Sequence, residues 1–502
     1  MLRSYLYSNV KLYRRLYDCF IFDSRILISF IYRPEIIMTS EPETTAGQQK
    51  FNQLRQEYPF LQYSGYDANI DSVGLHVTYE FNLGNQFTFR PGFSIPNKRF
   101  YTNFPTAEML NSPLFANLLF QIGMIELVSY WKATCSPKVI VKGSKLTEEQ
   151  VLWWKNVYYQ GLGEFFYTNK ITTDSGSFMQ ISSEGETLKP QNISLDETVI
   201  VPIGGGKDSV VTLELLDVTK KIRPFIMNPR GATLECVRIA GFGNDGFIEV
   251  KRRLDPLLLE LNAKGFLNGH TPFSAMLAFY SLLVSAISGH RHIALSNESS
   301  ANEPTVSGTD VNHQYSKSYA FESDFREYVN KYISPDFNYF SFLRPLNELQ
   351  IASLFARQVK YYPVFKSCNA GSKTDSWCCN CPKCLFAFTI LSPFIPNIEL
   401  IHIFGKNLFE MPEMLIYLKE LTGIAEVKPF ECVGTVDEVN AALHMFIAKN
   451  QHKKLPLLID YYSNTINYSP CNTRLSENLM AEFNTEHFLE PGFADIIKQK
   501  MK

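Results

Sequence analysis

The stretch that most limits what this chain can fold into is residues 199–216, VIVPIGGGKDSVVTLELL. Val199, Ile200, Val201 and Ile203 read as a short buried strand, and Gly204, Gly205 and Gly206 follow it. Lys207, Asp208 and Ser209 then open a helix with apolar positions at Val210, Val211, Leu213, Leu215 and Leu216. Glycine lets the backbone approach a polyanion with no side chain in the way. A helix start adds unpaired N–H groups and about half a positive charge, and Lys207 adds a whole one. Strand, glycine loop and helix in this order make a phosphate site. Three glycines alone are equally an ordinary turn at a strand-to-helix corner; Lys-Asp-Ser at the helix start is what favours the anion.

The loop lacks the Gly-x-x-x-x-Gly-Lys-Ser/Thr spacing of a Walker A sequence. It resembles instead the SGGxDS loop of the PP-loop ATP pyrophosphatases, through Gly205, Gly206, Lys207, Asp208 and Ser209. That resemblance implies an ATP site that releases AMP and diphosphate. Gly204 stands where the PP-loop family usually has serine, so the backbone there must replace a hydroxyl.

Beyond the loop, apolar segments alternate at 223–227, 234–239, 254–261, 272–287 and 292–295, the last reading as a strand. This rhythm predicts an α/β fold with a doubly wound parallel sheet, whose ligands bind beyond the carboxyl ends of the strands. The strand at 292–295 runs into a long polar loop, 296–318, which carries Glu298, Glu303, Asp310, His313 and Lys317. A long loop after a core strand favours function. A carboxylate such as Glu298 can hold the magnesium that ATP chemistry needs, and His313 or Lys317 can transfer protons or contact phosphate. For each residue singly, a solvated loop remains the alternative.

Cys368, Cys378, Cys381 and Cys384 follow the pattern C-x9-C-x2-C-x2-C, a spacing that suits tetrahedral zinc. Reduced buried thiols and an iron–sulfur cluster are the alternatives. The pattern is similar to the four-cysteine zinc site of 7-cyano-7-deazaguanine synthase, another PP-loop enzyme, with a slightly different first spacing. Cys379 is left over, Lys383 can bring charge towards the phosphate site, and Cys432 has no spacing partner and reads as a buried thiol. Ten cysteines in 502 residues are too few for a disulfide scaffold and point to a reducing, cytoplasmic compartment.

A chain of this length divides into two or three domains. Residues 1–37 mix basic, tyrosine and isoleucine residues without a core pattern. They read as an extension ahead of a true start at Met38 or as disordered, with a membrane-surface helix as the alternative and no stable membrane insertion. Residues 38–195 read as an N-terminal α+β domain. It has a hairpin turning at Gly84-Asn85, a helix over 114–130, a strand at 138–142, a capping box at Thr147–Gln150 and a linker over 174–197. Residues 196–400 form the ATP-binding domain with the cysteine knuckle, and 401–502 a helical cap with helices over 412–421, 436–449 and 455–462. The net charge of −2 excludes general nucleic-acid affinity.

Taken together, the phosphate loop, SNESSANEPT at 296–305, QYSKS at 314–318 and CCNCPKCLF at 378–386 resemble the ATP-dependent UDP-N-acetylmuramoyl-L-alanyl-L-glutamate epimerases. The resemblance runs from about Phe51 into the C-terminal helices. It implies a UDP-sugar dipeptide substrate, ATP cleaved to AMP and diphosphate, and a magnesium requirement. Lys207, His313 and Lys317 are then the catalytic candidates, and Gly204–Ser209 with Glu298 the nucleotide and magnesium site. The alternatives are another PP-loop amidotransferase, thiolase or ligase and, in a different class, a nucleotide-sensing module. Oligomeric state is not legible.

Overall fold

A computed structural model describes residues 45–217, 220–243, 245–306, 308–465 and 473–501; the expected extension at 1–37 lies outside them. Among the described residues eleven strands join in one sheet. They are β1 (Phe60–Ile70), β2 (Gly74–Leu83), β3 (Phe87–Phe89), β4 (Gly92–Pro96), β5 (Lys138–Val141), β6 (Gln180–Ser183), β7 (Asp196–Pro202), β8 (Ile222–Met227), β9 (Ile248–Arg253), β10 (His290–Leu295) and β11 (Asn338–Ser341). The order across the sheet is β11, β10, β7, β8, β9, β4, β2, β1, β5, β6, with β3 paired to β2.

From β11 to β9 every pairing is parallel, as the alternating rhythm predicts. β4 then joins β9 antiparallel, Phe93 opposite Arg252, and the sheet continues through the antiparallel β2 and β1. The stretches 38–195 and 196–400 thus both supply strands to one sheet.

The central strands are apolar because both their faces are covered. Ile200 on β7 and Ile293 on β10 enter the core around the helices Pro113–Trp131 and Phe273–Ser288. Their neighbours Val199, Val201 and Ala294 point the other way, into a second core formed with the helix Lys207–Asp217 and the C-terminal helices. From β7 the chain steps to β8 and β9 through the helices Lys207–Asp217 and Gly231–Ile239. After the helix Phe273–Ser288 it returns to β10, on the opposite side of β7. The strand order reverses between β7 and β10, and that reversal opens a crevice at their carboxyl ends.

Local signals place most elements well. Gly84 and Asn85 have φ of 57° and 59°, as a tight hairpin turn requires. Thr147 with Gln150, and Thr435 with Glu438, form full capping boxes. The expected linker contains β6, and the apolar run 234–239 is the latter part of a helix. The helix Pro113–Trp131 is, among the described residues, the one long and apolar enough to cross a membrane. Here 94% of its apolar window is buried inside the protein.

Candidate active site

A cavity of about 480 Å³ lies at the β7/β10 reversal, within the range of small-molecule sites. Its floor is the glycine loop. Gly205 has φ +81°, and a β-carbon there would come within 3.1 Å of Ala232, so only glycine fits without strain. At Gly204 a β-carbon would meet nothing within 4 Å, leaving the backbone open to the cavity. Lys366 N–H donates to the Gly205 carbonyl at 2.8 Å, and Ser209 Oγ to the Gly206 carbonyl at 3.0 Å. Together they pin the loop from both sides.

Lys207 is buried, and its ammonium pairs with Asp208 at 2.5 Å and with Glu348. Burial works against that charge, but Asp208 and Glu348 outweigh it and keep the ammonium protonated. Burial also pushes the carboxyls of Glu298 and Glu348 above the usual range, opposed chiefly by Lys317 and Lys207 respectively. Glu348 begins the helix Glu348–Phe355, and its N–H donates to Glu438 Oε1 at 2.9 Å. Glu438 also accepts from Ser300 Oγ, tying the cap helix to the polar loop. Buried Arg344 clamps the two ends of that loop, donating to the carbonyls of Glu298 and Lys317. Glu348 and Arg344 were missed from the sequence because each reads there as an ordinary helix or loop residue.

Cys432, expected as a buried thiol with no spacing partner, lines the cavity alongside Glu298 and Lys317. Val306 bridges to Val427, Lys428 N–H donates to the Thr305 carbonyl at 3.1 Å, and Gln314 Nε2 donates to the Val433 carbonyl at 3.1 Å. These contacts lay the segment around Cys432 along the 296–318 loop. There the thiol lies within the electrostatic reach of His313 and Lys317. Burial pushes the Cys432 thiol up, but Lys317, Lys383 and His313 overcome it and hold it well below its usual value.

His313 Nδ1 lies 2.5 Å from Glu164 Oε2, and His270 Nδ1 lies 3.2 Å from the same oxygen. The two rings are 4.5 Å apart, so one charge excludes the other. Burial and the charge of His313 push His270 down to about 4. Burial opposes protonation of His313 too, yet its hydrogen bonds to Cys432 and Glu164 push it up to about 9. Lys317 is likewise held protonated: burial opposes its charge, and Cys432, Glu298 and Asp208 outweigh burial.

The sulfurs of Cys368, Cys378, Cys381 and Cys384 all lie within 4.8 Å of one another. Cys368 and Cys381 are 3.9 Å apart, and Cys378 and Cys384 3.7 Å. Four sulfurs around a tetrahedral zinc at about 2.3 Å would stand about 3.8 Å apart, so the set fits that ion. The N–H groups of Gly371, Asn380 and Cys384 point at these sulfurs, an arrangement that favours thiolates. Cys379, at φ +50°, turns away and donates its thiol to the Phe404 carbonyl. The knuckle leads into the helix Pro382–Leu391, whose Lys383 and Phe386 form a wall of the cavity.

Residues 52–342 match the family model of the MurL N-terminal domain, and residues 364–473 that of the MurL C-terminal domain. The chain belongs to the MurL family. A protein of Salinispora tropica named UDP-N-acetyl-alpha-D-muramoyl-L-alanyl-L-glutamate epimerase is 36% identical over 340 residues, 66% of this chain and 73% of its own. One of the same name from Xanthomonas oryzae pv. oryzae is 33% identical over 354 residues, 68% of this chain and 77% of its own. No solved structure matches. The MurL N-terminal match supplies Glu164, Lys207, Glu298, His313 and Lys317, and the C-terminal match supplies the four knuckle cysteines and Cys432. Glu348 and Arg344 lie between the two matched stretches.

Proposed function

We propose that this chain inverts the α-carbon of the terminal glutamate of UDP-N-acetylmuramoyl-L-alanyl-L-glutamate, using a PP-loop ATP site that yields AMP and diphosphate. One observation carries the reading: the glycine loop and a cluster of proton-handling side chains face the same cavity. The names of the MurL relatives supply the substrate.

An α-proton beside a charged carboxylate is hard to remove, because the carbanion would place a second negative charge next to the first. Activation must therefore come before deprotonation. In this reading the glutamate α-carboxylate attacks the α-phosphorus of ATP, diphosphate leaves, and an acyl-adenylate without carboxylate charge remains. Gly204–Gly206, Lys207 and Ser209 hold the departing phosphates. Magnesium, when bound, neutralises phosphate charge; Glu298 and Asp208 face the loop and suit an ion that takes one or two carboxylates with phosphates and water. A base on the 296–318 side removes the α-proton, reprotonation on the other face inverts the centre, and water releases AMP. The four cysteines would hold zinc in a structural role, fixing Lys383 and its helix against the cavity.

The test is solvent exchange in deuterated water. With ATP, magnesium and the UDP-dipeptide, product D-glutamate should carry deuterium at the α-carbon while AMP and diphosphate accumulate. Exchange without ATP would mean that the free carboxylate is deprotonated directly and would remove adenylation from the scheme. A requirement for an added amine or sulfur donor would point to a ligase instead.

A further inference from the structure

Removal of the α-proton needs a group that faces the cavity and is free to accept a proton. His313 and Lys317 were the expected candidates, and each already carries its own: His313 between Glu164 and Cys432, Lys317 among Cys432, Glu298 and Asp208. Lys207 is bound to two carboxylates. Glu298 and Asp208 face the two lysines beside the phosphate loop. Asp375 in the same wall takes the Ala232 N–H, and the Lys366 ammonium donates to the Pro363 carbonyl. A sulfur outside the knuckle also faces the cavity. Cys432 lines the cavity, and cations surround it: His313 and Lys317 from the polar loop and Lys383 from the knuckle helix. Its position is built, because Asn369 Nδ2 donates to the neighbouring Glu431 at 2.6 Å and Gln314 holds the Val433 carbonyl on the other side.

Resting on the epimerase reading above, we propose that the Cys432 sulfur, paired with His313 and Lys317 at the cavity wall, is the base that takes the glutamyl α-proton. In this proposal sulfur and imidazole act as thiolate and imidazolium, the ring being oriented by the Glu164 carboxylate 2.5 Å from His313 Nδ1. In the step, the Cα–H bond breaks and an S–H bond forms. The electron pair stays on the substrate and delocalises into the acyl carbonyl, where the Lys317 ammonium can face the developing charge. A solvent-derived proton forms the new C–H bond on the opposite face, and the Cys432 proton returns to solvent, so no proton is gained or lost over a turnover. His313 and Glu164 act through the sulfur and are positioning residues.

Cys432→Ser tests this when adenylation and proton exchange are read separately on the full chain. Adenylation is followed as exchange of labelled diphosphate into ATP in the presence of the UDP-dipeptide, and deprotonation as α-deuterium incorporation from deuterated water. Expected for Cys432→Ser are diphosphate exchange within about tenfold of wild type and deuterium incorporation lower by about a hundredfold or more. Equal deuterium incorporation in variant and wild type would overturn the proposal. If wild type itself incorporates no deuterium with ATP, the epimerase reading fails and this inference with it. Should the serine variant not fold, the wild-type chain answers independently. Iodoacetamide at about pH 6 should alkylate Cys432 in step with lost epimerisation, and the UDP-dipeptide should protect it. Inactivation with Cys432 unlabelled would refute the assignment. So would a second zinc equivalent that disappears with Cys432→Ser, since the sulfur would then be a metal ligand.

Discussion

Replacing Lys207 with alanine tests the phosphate site through the charge it leaves behind. In the folded chain the Lys207 ammonium sits between Asp208 and Glu348, and Lys207 and Glu348 are both buried. Lys207→Ala therefore strands a carboxylate in the interior, and breaking a buried pair this way typically costs about 3–5 kcal/mol. Glu348 has an escape, which is to take a proton. From its ordinary value of 4.5, protonation near neutral pH costs about 3 kcal/mol, and this sets the ceiling. The sign with pH follows from the direction of the shift. Burial holds Glu348 above its usual value even with Lys207 opposing it, and removing Lys207 raises it further. A carboxyl raised on folding contributes its stability below its unfolded value and loses it as pH rises through the folded one. The deficit of Lys207→Ala should thus be about 3 kcal/mol near neutral pH and should fade towards about pH 4–5. Urea unfolding across that range measures it. Adding Glu348→Gln should restore most of the stability but not diphosphate release, which should stay down by about ten- to a hundredfold. A deficit that does not change with pH, or unchanged diphosphate release in Lys207→Ala, would refute the reasoning.

Three further outcomes follow from the geometry. Metal analysis should find about one zinc per chain, retained in Cys379→Ser and lost in Cys378→Ser, and the reverse pattern would show the ligands wrongly assigned. Gly205→Ala should lose about 1–3 kcal/mol, because it forces a β-carbon into a positive-φ position against Ala232. Gly204→Ser, facing open space, should unfold within about 0.5 kcal/mol of wild type and keep its ATP turnover; a large loss at Gly204 would mean that the loop is packed differently.

The parts of the site legible in the sequence are those whose chemistry is local. Gly204–Ser209 and the knuckle cysteines each sit within a few turns of chain, and their spacing carries the geometry. Thr435 and Glu438 are legible as a cap, but not the use of Glu438 to hold Ser300 and the Glu348 amide, since those partners lie 138 and 90 residues away. Cys432 is the clearest case. His313 and Lys317 are brought towards it by the Val306–Val427 bridge and by the hydrogen bonds Lys428–Thr305 and Gln314–Val433, and nothing in its neighbourhood announces them. Among the strands, β1 was missed because Gly65 interrupts it at a shift in register, and because Asp67 and Asn69 resemble turn residues. β9 carries Lys251, Arg252 and Arg253, yet the half-buried Arg252 pairs with the buried Glu126, which no local pattern foretells.

The docking of residues 427–438 onto the 296–318 loop also bears on how the chain is made. The phosphate loop leaves the ribosome long before the segment that carries Cys432 and Glu438. At about 5–20 residues per second, the interval is on the order of ten to fifty seconds. The 296–318 loop and Glu348 follow within it, and even then the outer wall of that loop has not yet been synthesised. A nascent chain can therefore have its glycine loop in place while the wall that carries Cys432 is still missing. On the proposed reading, final docking of the C-terminal segment would turn an intermediate with its glycine loop in place into a working epimerase, and a ribosome that stops early would release a product without that capacity.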